Sequence, residues 1–290
     1  MKKHRFIFVG GLHRSGTWLL TRCMEAHPQI SRLAQFDANG AKGEFTSYEG
    51  QYLQTVYPTE IYFGGTGRFG FYTEAHLTEE SPLVTEENRA KLSSEWSHHW
   101  DTSKPLLLEK TPSNIIRSRF LQAMFPSSQF IFIMRHPVAV ALAQQKWSGT
   151  SIMSLIEHWL VCYEMLIKDT KYLKDFIFVR YEHFVKQPQE ETDRIYSFLG
   201  LDSVRHTQTV RSDGNEKYFR TWEQACHVET KTKSLSRRFI DLLIPFATLH
   251  GYPITILENE VKMIIQRYES RANAFGYSLE DVRWIGKIEV

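Results

Sequence analysis

Apolar and polar positions in this chain fall into short apolar runs separated by longer amphipathic stretches. Phe6-Ile7-Phe8-Val9, Leu106-Leu107-Leu108, Phe130-Ile131-Phe132-Ile133-Met134 and Phe176-Ile177-Phe178-Val179 are unbroken apolar segments. Runs of this kind are strands that a parallel sheet buries on both faces. Helices are predicted between them. The first runs from Ser15 to about Ala26 and stops near Pro28, and the second from Thr85 to Trp100 with Glu86 and Glu87 in its first turn. A third is capped by Ser113 and reaches about Phe125, before Pro126. Further helices are predicted over Val138 to Trp147, Ser151 to Lys171 and Glu190 to Leu199, the last ended by Gly200. Strands alternating with helices specify a parallel sheet with right-handed crossovers, whose ligands sit beyond the carboxyl ends of the strands. The stretch to about Arg68 breaks the alternation, with Gly40, Gly43, Gly50, Pro58, Gly64, Gly65 and Gly67 among many aromatics. A long aperiodic stretch that keeps its aromatics reads as a substrate-facing loop region.

The turn after the first strand carries the clearest chemistry. Gly10-Gly11-Leu12-His13-Arg14-Ser15-Gly16-Thr17 leads directly into the first helix, whose free amides and positive dipole end favour an anion. Its glycines allow positive φ and close backbone approach, and Ser15 and Thr17 add hydroxyls. Gly11 and Gly16 have the spacing of the nucleoside-triphosphate loop G-x-x-x-x-G-K-[ST], but Thr17 stands in the lysine position and Trp18 in the magnesium-holding position. The cradle is therefore expected to hold a phosphate-type group without a metal-bound γ-phosphate.

Composition narrows the setting. The chain has 290 residues, 42% hydrophobic and 23% charged, and a net charge of +2, which gives no general case for nucleic-acid binding. One α/β unit with elaborations is expected over 1–290, with a core at about 5–200. Cys23, Cys162 and Cys226 are odd in number and widely spaced, so free thiols are expected. The run behind Lys2, Lys3, His4 and Arg5 is too short for a signal peptide, and no stretch has the length of a membrane span. A soluble, cytoplasmic setting without a membrane partner is the expectation.

Basic and aromatic residues then fall at the strand ends. Lys110 follows the second strand, Arg135 the third, and Arg180 and Tyr181 the fourth. One basic residue at a strand end is ordinary, but three beside a phosphate cradle on one rim point to a strongly anionic ligand.

These residues resemble those of sulfotransferases that use 3′-phosphoadenosine 5′-phosphosulfate (PAPS). Gly10 to Thr17 is similar to their 5′-phosphosulfate loop, and Phe130 to Ala143, with Arg135-His136-Pro137, to their 3′-phosphate segment. Leu108-Glu109-Lys110-Thr111-Pro112 and Val179-Arg180-Tyr181-Glu182 also resemble family segments, so the likeness covers roughly residues 5 to 200. The resemblance implies a three-layer α/β/α fold with a central parallel sheet, a P-loop-like sulfotransferase fold. It implies that the amides of Arg14, Ser15, Gly16, Thr17 and Trp18 bind the 5′-phosphate, with Arg14 near the phosphosulfate. Lys110 would neutralise the leaving bridging oxygen, Arg135 would pair with the 3′-phosphate, and Tyr181 would lie against adenine. No metal is demanded, because in-line positioning and charge stabilisation carry such a transfer.

The sequence departs from the family in three places. Ala143 stands where a serine usually follows the arginine, a loss of ~1 to 2 kcal/mol unless Gln144, Lys146 or Ser148 replaces it. The Arg-Lys-Gly loop that closes over the donor in cytosolic members is missing. Arg211 to Trp222 is the candidate replacement, with Arg211, Asn215, Lys217 and Tyr218 as binding residues. Pro112 occupies the position of a catalytic histidine, so a carboxylate base is considered. Gln35 falls close to the position used by protein-tyrosine and several glycan sulfotransferases, with Asp37 nearby. Glu44 and Glu49 follow, and Glu49 is the first choice because it introduces an apolar segment. His98 and His99 are alternatives that one-residue spacing sends to different helix faces, so packing and solvent are favoured for them. His13, inside the cradle, either touches the transferred group or shapes the turn. Trp159, Tyr163 and Leu166, at helical spacing, are read as core.

The reading is thus metal-independent sulfuryl transfer from PAPS, leaving 3′-phosphoadenosine 5′-phosphate (PAP), to a hydroxyl or amine of a small molecule. Two rivals are a P-loop small-molecule kinase and a non-catalytic nucleotide-binding protein of the same fold.

Overall fold

The computed structural model describes residues 4–34, 48–227 and 258–288. The chain builds β1 (Arg5–Gly10), α1 (Thr17–Met24), β2 (Ile30–Arg32), α2 (Glu86–Ser97) and β3 (Leu106–Lys110). There follow α3 (Ser118–Met124), β4 (Gln129–Met134), α4 (Pro137–Ser148), α5 (Ile152–Asp169), β5 (Phe176–Arg180) and α6 (Tyr181–Lys186). The last described elements are α7 (Pro188–Phe198), α8 (Glu216–His227) and α9 (Glu258–Asn273).

The strands form one parallel sheet in the order β2-β3-β1-β4-β5. Alternate side chains of each strand go to opposite faces. Phe8, Phe130 and Phe132 enter one core with Trp96, Trp159 and Tyr163, whereas Ile7, Val9, Ile131 and Ile133 enter the other with Leu20, Met24 and Tyr196. Helices therefore cover both faces, which gives the expected three layers. From β1 the chain moves outward to β2, returns to β3, and then crosses to β4 and β5 on the other side. The carboxyl end of β1 consequently opens at the switch point, where such sheets bind ligands.

Three local expectations change. Ser113 does not cap a helix, because Pro112–Ile116 is a short 3-10 turn, Arg117 precedes α3, and the Ser113 hydroxyl is spent on Gln51 Oε1 at 3.3 Å. β2 has only three residues, too short to leave an apolar run. The segment after β2 is held by 3-10 turns at Gly50–Tyr52, Glu60–Phe63, Phe69–Phe71 and Thr73–Ala75. Trp159, Tyr163 and Leu166 are fully buried as expected, and two of them also brace the site: Trp159 Nε1 donates to Arg135 O and Tyr163 Oη to Ile133 O. All three cysteines are free thiols. No helix among the described residues is long and apolar enough to cross a membrane.

Candidate active site

The cradle is a strained turn fixed from below. Gly11, Arg14 and Gly16 have φ of 146°, 68° and 103°, and Arg14 is the one described non-glycine residue in the left-handed region. A left-handed non-glycine residue persists only where its surroundings enforce it. Here Gln144 Nε2 donates to His13 O at 2.6 Å, and Arg135 Nη1 donates to Arg14 O at 2.7 Å. Gly16 caps α1 with no side-chain hydrogen bond, so the first-turn amides keep their capacity for an anion. A side chain at Gly16 would meet Tyr181 Cδ2 at 2.6 Å, so the absent Cβ is what lets Tyr181 lie against the turn.

One wall of the cradle opens on a cleft of about 810 Å³ lined by Arg14, Arg135, Tyr181, Arg211, Lys217 and Tyr218, with Gly214 and Glu216 among its other walls. Arg135 is buried, stacks on Tyr181 with its guanidinium carbon 4.2 Å from the ring centre, and donates to Asn215 Oδ1 at 2.7 Å and Gly214 O at 2.8 Å. It therefore joins the cradle to the 211–218 segment. Asn215 and Tyr218 are buried, whereas Arg211 and Lys217 are exposed, Arg211 pairing with Asp213 at 2.8 Å. Arg14 is exposed and lies over the Trp147 ring at 4.7 Å, and the Trp18 ring is about half exposed. Ser15 and Thr17 are buried in the turn. Ala143 is packed in the core, and Gln144, one of its proposed substitutes, supports the cradle backbone.

The other wall is built by the carboxyl end of β3 and the segment at 49–60. Glu109 is fully buried, and burial pushes its carboxyl up against the pull of its hydrogen bonds. It accepts from Gly50 N at 2.7 Å and from Thr111 and Asn114 at 2.5 Å each. Those bonds pin the start of the 3-10 turn at Gly50 to β3, and a Cβ at Gly50 would meet Glu109 Cγ at 2.6 Å. Glu49 is thereby brought to Lys110, with Nζ to Oε1 at 2.8 Å, both side chains being nearly inaccessible. Gln51 links the acids: its amide donates to Glu49 Oε2 at 3.0 Å, and its carbonyl accepts from Glu60 N at 3.0 Å. Glu60, which sequence patterning did not single out, stands opposite His13 at 2.9 Å and accepts from Tyr52 Oη at 3.3 Å. Ring and carboxylate atoms of His13, Glu49 and Glu60 lie within 4.8 Å of one another.

Charge sets the state of this wall. Burial works against a charged His13, but Glu60, with Glu49 behind it, outweighs burial and holds the imidazole above its ordinary value. Burial likewise works against ionised Glu60, yet His13, the Gln51 bond and Arg117 keep its carboxyl below the usual range. Between pH 4.5 and 6.5 the two are therefore an ion pair, beside the Lys110–Glu49 pair. Arg117 lies near Glu60 with its guanidinium 5.2 Å from the Tyr57 ring centre.

The structure thus brings His13, Arg14, Lys110, Glu49, Arg135 and Tyr181 to one rim, with Arg211, Asn215, Lys217 and Tyr218 across the cleft. His98 is exposed at the end of α2, and His99 is half-buried, with its ring 6.4 Å from that of Tyr48. Gln35, Asp37 and Glu44 lie outside the described residues. His136 is a structural neighbour rather than a ligand: burial pushes it down to about 3, and its ring accepts from Val138 N and bonds Ser278 O.

A family model described as "Sulfotransferase family" matches residues 7–205. A Caenorhabditis briggsae protein whose name assigns it to the protein-tyrosine sulfotransferases is 23% identical over 270 residues, covering 86% of this chain and 89% of that protein. The protein-tyrosine sulfotransferase of Drosophila melanogaster is 25% identical over 221 residues, 69% of this chain but only 39% of the relative's length. Sulfotransferase STF9 from Mycobacterium avium has a similar fold, with a TM-score of 0.54 at 11% identity over 99% of this chain and 79% of that one.

Proposed function

The chain belongs to the sulfotransferase family, and we propose that it is a single catalytic unit that transfers a sulfuryl group from PAPS to an acceptor hydroxyl or amine. The observation that carries this is the uncapped first turn of α1, with left-handed Arg14 and Gly16, opening onto a cleft lined by Arg14, Arg135, Arg211 and Lys217. Those residues fit a nucleotide bearing both a phosphosulfate and a second phosphate. PAPS would supply the activated sulfuryl group and carry the bridging oxygen away as part of the nucleotide. The amides of residues 14–18 hold the 5′-phosphate, Arg14 neutralises the phosphosulfate, and Tyr181 and Tyr218 offer aromatic faces to the base. Arg135 faces the second phosphate while it ties the cradle to Gly214 and Asn215. Lys110, beside the cradle on β3, is aimed at the departing oxygen. On this reading the donor draws Lys110 from Glu49, whose carboxylate compensates its charge at rest.

The acceptor side is the wall of His13, Glu49 and Glu60 with the aromatic turns beyond. Tyr52, Ile61, Tyr62 and Phe71 are exposed there, which suits a partly apolar small acceptor. The two relatives' names add a tyrosyl phenol to the acceptors to be offered. Transfer from labelled PAPS in EDTA to small phenols, alcohols, amines and a tyrosyl peptide tests the reading. Transfer that falls by about 10²–10³-fold in Lys110→Ala and Arg14→Ala is expected. PAP is expected to bind more tightly in EDTA than ATP with magnesium, because Thr17 and Trp18 occupy the Lys-Ser/Thr positions. Tighter binding of ATP with magnesium overturns the proposal in favour of a kinase.

A further inference from the structure

Transfer to a hydroxyl needs a proton acceptor beside the incoming oxygen, and Pro112 occupies the position in which the family resemblance would place a histidine. The acceptor wall offers three groups. Glu49 has Oε1 on Lys110 and Oε2 on the Gln51 amide. Glu60 is 2% exposed and has its Oε1 on His13 and Tyr52, while its Oε2 is enclosed with no hydrogen-bond partner. His13 is the more accessible member of its pair, its side chain 18% exposed against 2% for Glu60. Its Nε2 is fixed on Glu60 at 2.9 Å, its backbone is held by Gln144, and its Nδ1 is enclosed with no hydrogen-bond partner in the protein. A polar ring atom in that position is costly unless a ligand uses it.

Building on the sulfuryl-transfer reading, we propose that His13 accepts the acceptor's hydroxyl proton through Nδ1 and that Glu60 is its positioning residue. The arrangement follows the logic of a carboxylate–histidine dyad, in which the acid fixes the tautomer and steadies the charged ring. The proton passes from the acceptor oxygen to Nδ1 as that oxygen's electron pair forms the new bond to sulfur. The bond between sulfur and the bridging oxygen breaks, and its electron pair stays on the nucleotide's 5′-phosphate beside Lys110. His13 then gives the proton to water that enters as the sulfated product leaves, and Glu60 remains a carboxylate throughout.

The surroundings give the dyad a definite pH response. Burial and Lys110 oppose the His13 proton, whereas Glu60 and Glu49 hold it, and the nearby His158, pushed down to about 3 by burial, stays neutral. Tyr52, Gln51 and Arg117 face Glu60 from the other side. The net rise puts loss of the His13 proton above 6.5, so the fraction of ring able to accept a proton grows with pH through that range.

The test combines activity with a measurement on the free protein. His13→Gln and His13→Asn are expected to lose about 10²–10⁴-fold in kcat with an un-ionised hydroxyl acceptor and far less with a phenol already ionised at the assay pH, because that acceptor needs no base. PAP affinity should stay unchanged. In Glu60→Gln, the His13 imidazole followed by NMR should titrate at lower pH than in the native protein, and the acidic limb of kcat/KM should move in the same direction. Glu60→Asp should restore part of both. Equal losses with both acceptors, or a His13 titration indifferent to Glu60→Gln, overturn the assignment. An inactive Glu60→Gln beside an active His13→Gln would make Glu60 the base instead. A native chain that moves no sulfuryl group to any acceptor overturns the transfer reading itself, and the NMR arm still decides whether Glu60 governs His13.

Discussion

Glu60 and His13 are each disfavoured as ions by burial and favoured as ions by each other, so their contribution to stability is confined to a pH window. His13 titrates above its ordinary 6.5, so its contribution is complete below that value and is lost as pH rises through the folded-state value. Glu60 titrates below its ordinary 4.5, so its contribution is complete above 4.5 and is lost as pH falls through the folded-state value. The two overlap fully between 4.5 and 6.5. Denaturant unfolding of native protein and Glu60→Gln across pH should show the largest difference in that interval and a shrinking one on both sides. A difference independent of pH would mean that the variant disturbs packing rather than the ion pair. His13, Lys110 and Glu49 were legible as chemistry because each sits in or beside a glycine turn or a strand end. Glu60 was not, because its only local marks are the preceding Pro58 and Thr59, and its partner lies 47 positions earlier in the chain.

At the level of elements, the turn into α1 depends on two properties of Gly16. Its φ of 103° is open to glycine, and its missing Cβ makes room for the Tyr181 ring. Gly16→Ala must strain the backbone and push Tyr181 away together, so a loss of about 2 kcal/mol or more in unfolding free energy is expected. PAP affinity should fall with it, since the uncapped amides of α1 and the Tyr181 face move apart. Unfolding and nucleotide titrations on one preparation check this; a variant with full stability and affinity would show that the turn relaxes without cost. The apolar runs of β1, β4 and β5 and the glycines after β1 made these elements readable in the sequence. Thr85 and Ser151, given only as helix starts, cap their helices by accepting from Asn88 N and Ser154 N. Ser113 fails as a cap because the preceding β3 residues bring it to Gln51, a tertiary partner that local propensity cannot foresee. For the same reason β2 is recognised only through its pairing with β3.

Across the whole molecule, the cleft beside the cradle is tied to residues 275–277 through Glu182 and Arg180. This buried carboxylate accepts from His136 N at 3.0 Å and Asn215 Nδ2 at 2.7 Å through one oxygen, and from Tyr277 Oη at 2.9 Å through the other. Arg180 adds bonds to Phe275 O and Gly276 O at 3.1 and 3.0 Å. One acid therefore fixes the residue after Arg135, the segment that faces the cradle, and a residue beyond α9. Glu182→Ala would leave three donors without their acceptor, and with roughly 1–3 kcal/mol for each buried group left unmade, a loss of at least about 3 kcal/mol is expected. Asn215→Ala is milder for the fold, because it releases Arg135 Nε while Glu182 keeps its other two partners. It should nevertheless weaken PAP binding, since Arg135 would be fixed to the 211–218 segment only through Gly214 O. Paired unfolding and PAP-binding measurements on the two variants separate these roles. The expected pattern is a large stability loss in Glu182→Ala and, in Asn215→Ala, an affinity loss out of proportion to its stability loss. If Asn215→Ala binds PAP as the native protein does, the 211–218 segment acts as a fixed wall of the fold rather than as part of the donor site.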